Sequence, residues 1–336
     1  MRAAAFAELV GPDGVDVVER ADPTPGEGEA VVDVRACSIN HHDLWILEGD
    51  SAMVTDDVLP FVSGLDVAGV VHEAGPGTGV EAGDRVVLCP NETCGTCRYC
   101  REGPENLCSS FSLYHGGLAE LATVEAARLI DLPAGVSFVD AAALPTAYLT
   151  AWHMMRKAEV GAGDLVFVPG ATGGVGVACV QLCDVVGART VGTSTSAEKL
   201  GRLADLGCDH RVETVDTDEM VEAVREIGEV DATLNHLAGE YVEVGLKVLR
   251  RGGKQVVCGR TAGRKSEFGA APFFLGHQEI IGSTMGTQPE LETLVGLVVE
   301  GELEPVVGGT FPLSETDEAF RTMADRTVFG KLVVEP

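Results

Sequence analysis

Four cysteines stand close together in the run CGTCRYCREGPENLC, with the spacing C-x2-C-x2-C-x7-C. They are Cys94, Cys97, Cys100 and Cys108. Four thiolates in one short loop are able to surround a zinc ion, and four protein ligands leave no position for substrate. The alternative is an iron–sulfur cluster, but ferredoxins use C-x2-C-x2-C-x3-C-P, and no proline follows Cys108. The spacing therefore predicts one structural zinc, and the chemistry must lie elsewhere.

A glycine-rich segment follows a short apolar strand and precedes a helical pattern. It consists of Gly170, Ala171, Thr172, Gly173, Gly174, Val175 and Gly176. Small residues at such a junction let backbone N–H groups approach a dinucleotide pyrophosphate at the helix N-terminus. Ala171 takes the place of the first glycine of G-x-G-x-x-G. The position of the loop in a βαβ unit predicts nucleotide binding, and a plain tight turn is the alternative.

The end of the next predicted strand indicates which dinucleotide binds. NAD sites commonly have an acidic residue there, about 20 residues after the glycines, that binds the ribose hydroxyls. This chain has the stretch TSTS at 193–196 instead. Hydroxyls such as that of Ser194 leave room for a 2′-phosphate, and Lys199 supplies a countercharge. We therefore favour NADP(H) over NAD(H). The alternative is that these residues only cap a helix, with Thr195 and Glu198 forming a capping box.

Sequence patterns divide the chain into two kinds of domain. The segment to about Glu125 is rich in Gly, Pro and short β-branched runs, which predicts strands. From about Ala141, apolar strands alternate with helical patterns, as a parallel sheet requires. The predicted strands are Leu165–Val168, Thr190–Val191, Val230–Leu234 and Lys254–Cys258, and the predicted helices are Val175–Val186, Ala197–Leu206 and Tyr241–Leu249. Gly187 is placed to end the first helix in the left-handed conformation.

The predicted fold class is therefore α/β. A β-rich domain occupies residues 1–140, with the metal lobe at about 90–110. A doubly wound parallel-sheet domain follows at 141–281, and residues 282–336 return to the first domain, ending in a strand over Phe329–Val334.

The chain is strongly acidic, with 52 Asp and Glu against 24 Lys and Arg and a formal net charge of −28. Such a charge repels itself in dilute buffer and disfavours binding to nucleic-acid phosphates. We hypothesise that the protein works in a cytosol of very high salt concentration. The alternative is an acidic protein of an ordinary mesophile. No stretch approaches the ~20 apolar residues of a membrane span, and the start lacks a signal-peptide pattern. We therefore expect a cytoplasmic protein.

Salt is then expected to raise the thermal unfolding temperature, because a Debye length of ~3 Å at 1 M mutes the repulsion. Calorimetry between about 0.1 M and about 3 M KCl measures this effect. Full stability at the low end of that range would contradict the high-salt hypothesis.

The four-cysteine lobe, the Gly-Asp-Arg-Val motif at 83–86, the glycine-rich loop and the domain order together resemble the medium-chain dehydrogenase/reductase superfamily. The resemblance covers nearly the whole chain. It implies a GroES-like catalytic domain, a Rossmann domain and hydride transfer in the cleft between them. It also implies a homo-oligomer, dimer or tetramer, and places Thr150 beside the nicotinamide. Tyr114 and His115 lie in a glycine-flanked loop able to line the cleft, although loop polarity alone also explains them.

The alcohol dehydrogenases of this superfamily hold a second, catalytic zinc, and this chain departs from their ligand motifs. The three ligand positions fall at Asn40, Leu65 and Thr146. Leucine cannot ligate zinc, and threonine is a poor ligand. The Asn-x-x-Asp pattern ending at Asp43 and the Gly-x-Asp-x-Ala-Gly pattern at 64–69 resemble zinc-free quinone oxidoreductases instead. We therefore expect no catalytic zinc.

Without a Lewis acid, oxidation of an unactivated alcohol is difficult. Hydride addition to a quinone or an activated alkene gives a delocalised anion that hydrogen-bond donors stabilise. Asn40 and His42 are the donors we expect. The sequence thus predicts NADPH-dependent reduction of quinones or of activated alkenes and carbonyls. One alternative is an alcohol dehydrogenase with a rearranged zinc site that recruits Cys37, His41, His42 or Asp66. The other is a non-catalytic, nucleotide-binding redox sensor.

Overall fold

A computed structural model describes residues 1–51 and 54–336. They form two compact units. Unit 1 comprises Met1–Thr146 and Thr287–Pro336, and unit 2 comprises Ala147–Gly286. The sequence patterns predict these two changes of domain after residues 140 and 281. Among the described residues, none of the helices is both long enough and apolar enough to cross a membrane.

The secondary structure alternates short strands with short helices. The strands are β1 (Arg2–Phe6), β2 (Val15–Glu19), β3 (Glu29–Ile39), β4 (Asp66–Ala74), β5 (Arg85–Leu88), β6 (Asn91–Glu92), β7 (Ser112–Leu113), β8 (Leu121–Glu125), β9 (Leu129–Asp131), β10 (Leu165–Val168), β11 (Arg189–Ser194), β12 (His210–Glu213), β13 (Val230–Asn235), β14 (Leu249–Val257), β15 (Glu279–Gly282), β16 (Val307–Pro312) and β17 (Lys331–Glu335). The helices are α1 (His41–Leu47), α2 (Arg98–Glu102), α3 (Phe138–Ala143), α4 (Leu149–Ala158), α5 (Gly174–Val185), α6 (Ala197–Ala204), α7 (Thr217–Ile227), α8 (Tyr241–Val248), α9 (Ala270–Leu275), α10 (Gln288–Glu300) and α11 (Thr316–Ala324).

Unit 1 is built on a seven-stranded sheet in the order β16-β17-β3-β4-β5-β9, with β8 also paired to β3. Strand β3 is central, and its apolar side chains, such as Val32 and Val34, are buried in the core of the unit. Leu332 of β17 pairs with Ile39, and Ser38 pairs with Asp66 at the start of β4. The ends of three neighbouring strands therefore meet just before α1.

Unit 2 is a six-stranded, wholly parallel sheet in the order β12-β11-β10-β13-β14-β15. Counted within the unit, this is the 3-2-1-4-5-6 order of dinucleotide-binding folds. Every residue of β10 is buried, as expected for a strand covered by helices on both faces. The predicted α/β fold class and parallel sheet are confirmed.

Several local predictions match the structure of unit 2, and one is wrong. Strand β10 has the predicted bounds, and Gly187 adopts a φ of +78° shortly after α5. The predicted capping box on Thr195 is not formed. Helix α6 is capped instead by Ser196, whose side chain accepts a hydrogen bond from the backbone N–H of Lys199. Either neighbouring hydroxyl is a competent cap, so the sequence predicted the first residue of the helix, Ala197, but misplaced its cap by one residue.

Candidate functional site

The four cysteine sulfurs of unit 1 lie within 4.8 Å of one another. Cys100 Sγ is 3.9 Å from Cys94 Sγ and 3.4 Å from Cys97 Sγ. Zinc–sulfur bonds of about 2.3 Å in a tetrahedron require sulfur separations of about 3.8 Å. The arrangement therefore fits one zinc ion held by Cys94, Cys97, Cys100 and Cys108. It leaves too little space for an iron–sulfur cluster with several irons and bridging sulfides.

Backbone N–H groups point at these sulfurs. The N–H of Cys97 donates to Cys94 Sγ at 3.3 Å, and the N–H of Ser110 donates to Cys108 Sγ at 3.4 Å. Hydrogen bonds from Thr96, and then from the Cys97 backbone, lower the pKa of the Cys94 thiol to about 6. Since a metal binds the thiolate, these donors favour the ligating form of Cys94.

An ion pair anchors the lobe to the rest of unit 1. Arg128 Nη2 lies 2.7 Å from Glu105 Oε1, and their side chains are only 12% and 17% exposed. The same carboxylate oxygen accepts a hydrogen bond from the backbone N–H of Gln288 at 3.0 Å. A partly buried ion pair thus ties the lobe to the rest of unit 1.

The glycine-rich loop of unit 2 joins β10 to α5. Gly170 has a φ of +66°, a conformation that favours glycine. A Cβ on Gly176 would lie 2.6 Å from the carbonyl oxygen of Gly170, so only glycine lets the helix approach the loop. A Cβ on Gly173 would meet nothing within 4 Å, which leaves the N-terminus of α5 open to a ligand. The loop therefore has the backbone geometry that pyrophosphate binding needs.

Hydroxyl groups tie the end of β11 to this loop. Ser194 Oγ lies 3.2 Å from Thr172 Oγ1, and the N–H of Gly170 donates to Thr193 Oγ1 at 3.2 Å. Lys199 lies in the first turn of α6, and burial lowers its pKa. The structure thus brings together Ser194, Thr172 and the glycines that the sequence singled out. No carboxylate stands in the TSTS stretch at 193–196.

Thr150 lies on α4 of unit 2 and is 6% exposed. Its hydroxyl donates to Met285 Sδ at 3.9 Å. Its role beside the nicotinamide stays a prediction of the resemblance.

A buried carboxylate occupies the region where the resemblance places a catalytic zinc. Asp66 is 0% exposed, and its Oδ2 accepts hydrogen bonds from Ser38 Oγ at 2.7 Å and Asn40 Nδ2 at 2.9 Å. Its Oδ1 accepts one from Thr146 Oγ1 at 2.6 Å. Two of the three expected ligand positions, Asn40 and Thr146, therefore hydrogen-bond to one carboxylate. The third, Leu65, is fully buried and apolar.

Lys331 completes this cluster. Its side chain is 4% exposed, and Nζ donates to the carbonyl of Ile39 at 3.0 Å, to Asn40 Oδ1 and to Asp66 Oδ2 at 3.4 Å. Three acceptors match the three N–H groups of an ammonium. Burial lowers the pKa of Lys331, and the charges of Asp66 and Asp43 oppose this. Lys331 was not among the predicted site residues. The only signal was a rare lysine within the otherwise apolar predicted strand.

The other candidate ligands of the rearranged zinc site are Cys37, His41 and His42. Cys37 is fully buried, and burial raises the pKa of its thiol well above the usual value. Burial, with the charges of Lys331 and Arg326, lowers the pKa of His41 to about 4. Within residues 1–51 and 54–336, the four-cysteine lobe is the only group of three or more His, Cys, Asp or Glu placed to hold a metal ion.

A series of hydrogen bonds and one ring contact connects the two predicted catalytic residues, Asn40 and His42. Asp43 is fully buried, and its Oδ2 accepts a hydrogen bond from the Asn40 backbone N–H at 2.8 Å. Its Oδ1 accepts one from Ser63 Oγ at 2.5 Å, and Ser63 Oγ is 3.2 Å from His115 Nδ1. The His115 ring stacks on His42 with centroids 5.4 Å apart. Asp43 thus fixes the start of α1 and the His115 ring. The catalytic roles of Asn40 and His42 stay predictions.

Comparisons with known proteins agree with this architecture. A family model described as an alcohol dehydrogenase GroES-like domain matches residues 26–134, and one described as a zinc-binding dehydrogenase matches residues 174–300. Acryloyl-coenzyme A reductase of Metallosphaera sedula is 32% identical over 330 residues, 96% of each chain. An alcohol dehydrogenase of Geobacillus stearothermophilus is 30% identical over 100% of this chain and 99% of its own. A crystal structure of an NAD-dependent alcohol dehydrogenase superposes with a TM-score of 0.92 at 35% identity, over 100% of both chains.

Proposed function

Because the chain belongs to the zinc-binding dehydrogenases of the medium-chain dehydrogenase/reductase superfamily, we propose that it reduces alkenes conjugated to a carbonyl or thioester group, with NADPH as the reductant. The observation that carries this proposal is the buried cluster of Asn40, Thr146, Asp66 and Lys331, which fills the region of the usual catalytic metal ligands with hydrogen-bonded side chains. One relative is named acryloyl-coenzyme A reductase, and acryloyl-coenzyme A is a substrate of this class.

The chemistry of such a substrate suits these residues. When bound, the reduced nicotinamide supplies a hydride. The negative charge that develops on the substrate is shared between a carbon and an oxygen, so hydrogen-bond donors are sufficient to stabilise it. The Nζ of Lys331 donates a hydrogen bond to Asn40 Oδ1 and so fixes the Asn40 side chain. Asn40 caps α1, and His42 lies in the first turn of that helix.

The two bound groups have separate roles in this proposal. The cysteine lobe would hold zinc in a closed site that stabilises the fold. The cofactor would lie on the glycine-rich loop of unit 2. NADPH would be preferred over NADH because β11 ends in hydroxyls, without a carboxylate in the stretch 193–196, and because Lys199 lies in the next helix. The names of similar proteins do not decide between NADPH and NADH, since one similar structure is that of an NAD-dependent alcohol dehydrogenase.

Steady-state kinetics test the proposal. We expect oxidation of NADPH with acryloyl-coenzyme A or benzoquinone, and little oxidation of ethanol or propanol with either oxidised cofactor. Substantial alcohol oxidation that a chelator abolishes and zinc restores would favour the alcohol dehydrogenase alternative instead. Absence of cofactor turnover across both substrate classes would favour the non-catalytic alternative.

Substituting Ser194→Asp is expected to reverse the cofactor preference. A carboxylate at the end of β11 would repel the 2′-phosphate of NADPH and accept hydrogen bonds from the ribose of NADH. We expect the Kd for NADPH to rise by about 30-fold or more, which corresponds to about 2 kcal/mol. Titration calorimetry with both cofactors measures this. Ser194→Ala removes the hydroxyl without adding a negative charge, so it should change the ratio of the two Kd values by a much smaller factor. An unchanged ratio in Ser194→Asp would remove Ser194 from the cofactor site.

A further inference from the structure

His115 has one nitrogen held and one nitrogen without a partner. Nδ1 lies 3.2 Å from Ser63 Oγ. Nε2 is buried and has no hydrogen-bond partner among the residues that the structure describes. A buried polar atom left unsatisfied costs about 1–3 kcal/mol, so such an atom marks strain or the place of a missing ligand. The second explanation fits a histidine that stacks on a predicted catalytic residue, His42.

The hydrogen bonds of Ser63 determine which nitrogen of His115 titrates. Ser63 has one hydroxyl proton, and the short 2.5 Å contact with Asp43 Oδ1 uses it, because an ionised carboxylate only accepts. Ser63 Oγ must therefore accept the Nδ1–H of His115. In the neutral ring Nε2 carries the lone pair, and in the charged ring Nε2–H is the mobile proton.

The surroundings of His115 keep this proton easy to release. Burial lowers its pKa below 6.5, the charge of His42 acts in the same direction, and the charges of Asp43 and Glu92 oppose them. Phe61 packs against the ring at a centroid distance of 5.1 Å. The ring is therefore fixed by an aromatic neighbour, a stacked histidine and a hydrogen bond, as a group that transfers a proton must be.

We infer that His115 is a catalytic residue that passes the proton of Nε2 to the substrate, and that Ser63 and Asp43 are the residues that position it. This inference rests on the proposed reduction. The β-carbon of the alkene gains the hydride while the nicotinamide is oxidised, and the π electron pair moves onto the α-carbon and the carbonyl oxygen. The α-carbon then forms a bond to the Nε2 proton, and the electron pair of the broken N–H bond stays on Nε2. Water reprotonates the neutral ring.

The variant His115→Asn tests this role, because asparagine keeps a donor for Ser63 and removes the Nε2 proton. With acryloyl-coenzyme A and NADPH, we expect kcat to fall about 100-fold or more, within the range for loss of a general acid. In the wild type, kcat/KM should decline with rising pH above the pKa of His115, because only the charged ring donates. The variant should lose this decline, while its Kd for NADPH stays unchanged.

Two control variants and a spectroscopic measurement make the test decisive. His72→Asn changes an exposed histidine of β4 and should leave kcat and the pH profile unchanged. Ser63→Ala should lower kcat less than His115→Asn and shift the pH profile. Nitrogen-15 NMR of histidine should show the Nδ1–H form for neutral His115.

The inference would be overturned, and the proposed function would stand, if the wild type reduces alkenes and His115→Asn keeps the wild-type rate and pH profile. An Nε2–H form of neutral His115 would overturn it whatever the activity. A wild type that reduces neither alkenes nor quinones would overturn the proposed function.

Discussion

Substituting Cys100→Ser is expected to remove the metal from the four-cysteine lobe and to release the segment Cys94–Cys108 from its fixed conformation. Cys100 Sγ is within 3.9 Å of two other ligand sulfurs, and a neutral serine hydroxyl is a poor zinc ligand. Helix α2, inside the segment, has no buried residue, so little apolar packing would hold the lobe. Structural zinc contributes about 10–16 kcal/mol in small peptides, so its loss is a large effect.

Zinc analysis and limited proteolysis measure the outcome. The wild type should carry one zinc per chain, and the variant close to none. Trypsin should cut the variant rapidly after Arg98 or Arg101, at sites that the intact lobe protects. Cys179→Ser, at a fully buried cysteine of α5, is the control and should keep its zinc. Stoichiometric zinc in Cys100→Ser would show that the lobe is not the metal site.

Substituting Lys331→Met is expected to lower the free energy of unfolding by about 3–5 kcal/mol. Methionine has a similar length but leaves Asp66 fully buried without its positive partner. Hydrogen bonds from Ser38, Asn40 and Thr146 remain, but they are neutral. The charge of Asp66 would then be uncompensated. Reductase activity should also fall, because Asn40 loses the donor at its Oδ1.

Urea unfolding of a double-mutant cycle measures the interaction. Adding Asp66→Asn to Lys331→Met removes the unpaired charge, so the double variant should recover part of the lost stability. A Lys331→Met protein within about 1 kcal/mol of the wild type would contradict a charged pair at this position. Simple addition of the two single effects would contradict it as well.

The sequence predicted the structure best for elements that depend on residues adjacent in the chain. The glycine-rich loop, β10 and the turn at Gly187 follow from local backbone requirements, and each lies where the pattern placed it. The cysteine lobe is equally local, since its ligands lie within 15 residues of chain. Spacing alone was therefore sufficient to predict a tetrahedral set of sulfurs.

The cluster around Asp66 was only half predictable. The resemblance identified Asn40, Leu65 and Thr146 as replaced metal ligands, but it gave no reason to include Lys331. The lysine reaches Asp66 across 265 residues of chain, through the pairing of β17 with β3. Such a contact depends on strand order and register, which a single sequence does not specify. The link from Asp43 through Ser63 to His115 was missed for the same reason.

Weak patterns account for the unpredicted elements of unit 2. Strand β12 is a short edge strand with two exposed residues in four, so its apolar signal is faint. Helix α7 buries only Met220, Val221 and Val224, and its many carboxylates resemble a solvated loop. Its N-cap, Asp216, accepts hydrogen bonds from the N–H groups of Asp218 and Glu219, a signal that was readable in the sequence.

Anomalous diffraction at the zinc edge, from crystals grown with NADPH, locates every zinc ion that the protein holds. If one metal ion supports the fold of unit 1, and the reaction uses only hydrogen-bond donors and a proton donor, we expect a single strong peak per chain. It should lie at the centre of Cys94, Cys97, Cys100 and Cys108. A second peak beside Asn40 and Asp66 would contradict this expectation, because a metal ion would then hold the place assigned to the ammonium of Lys331.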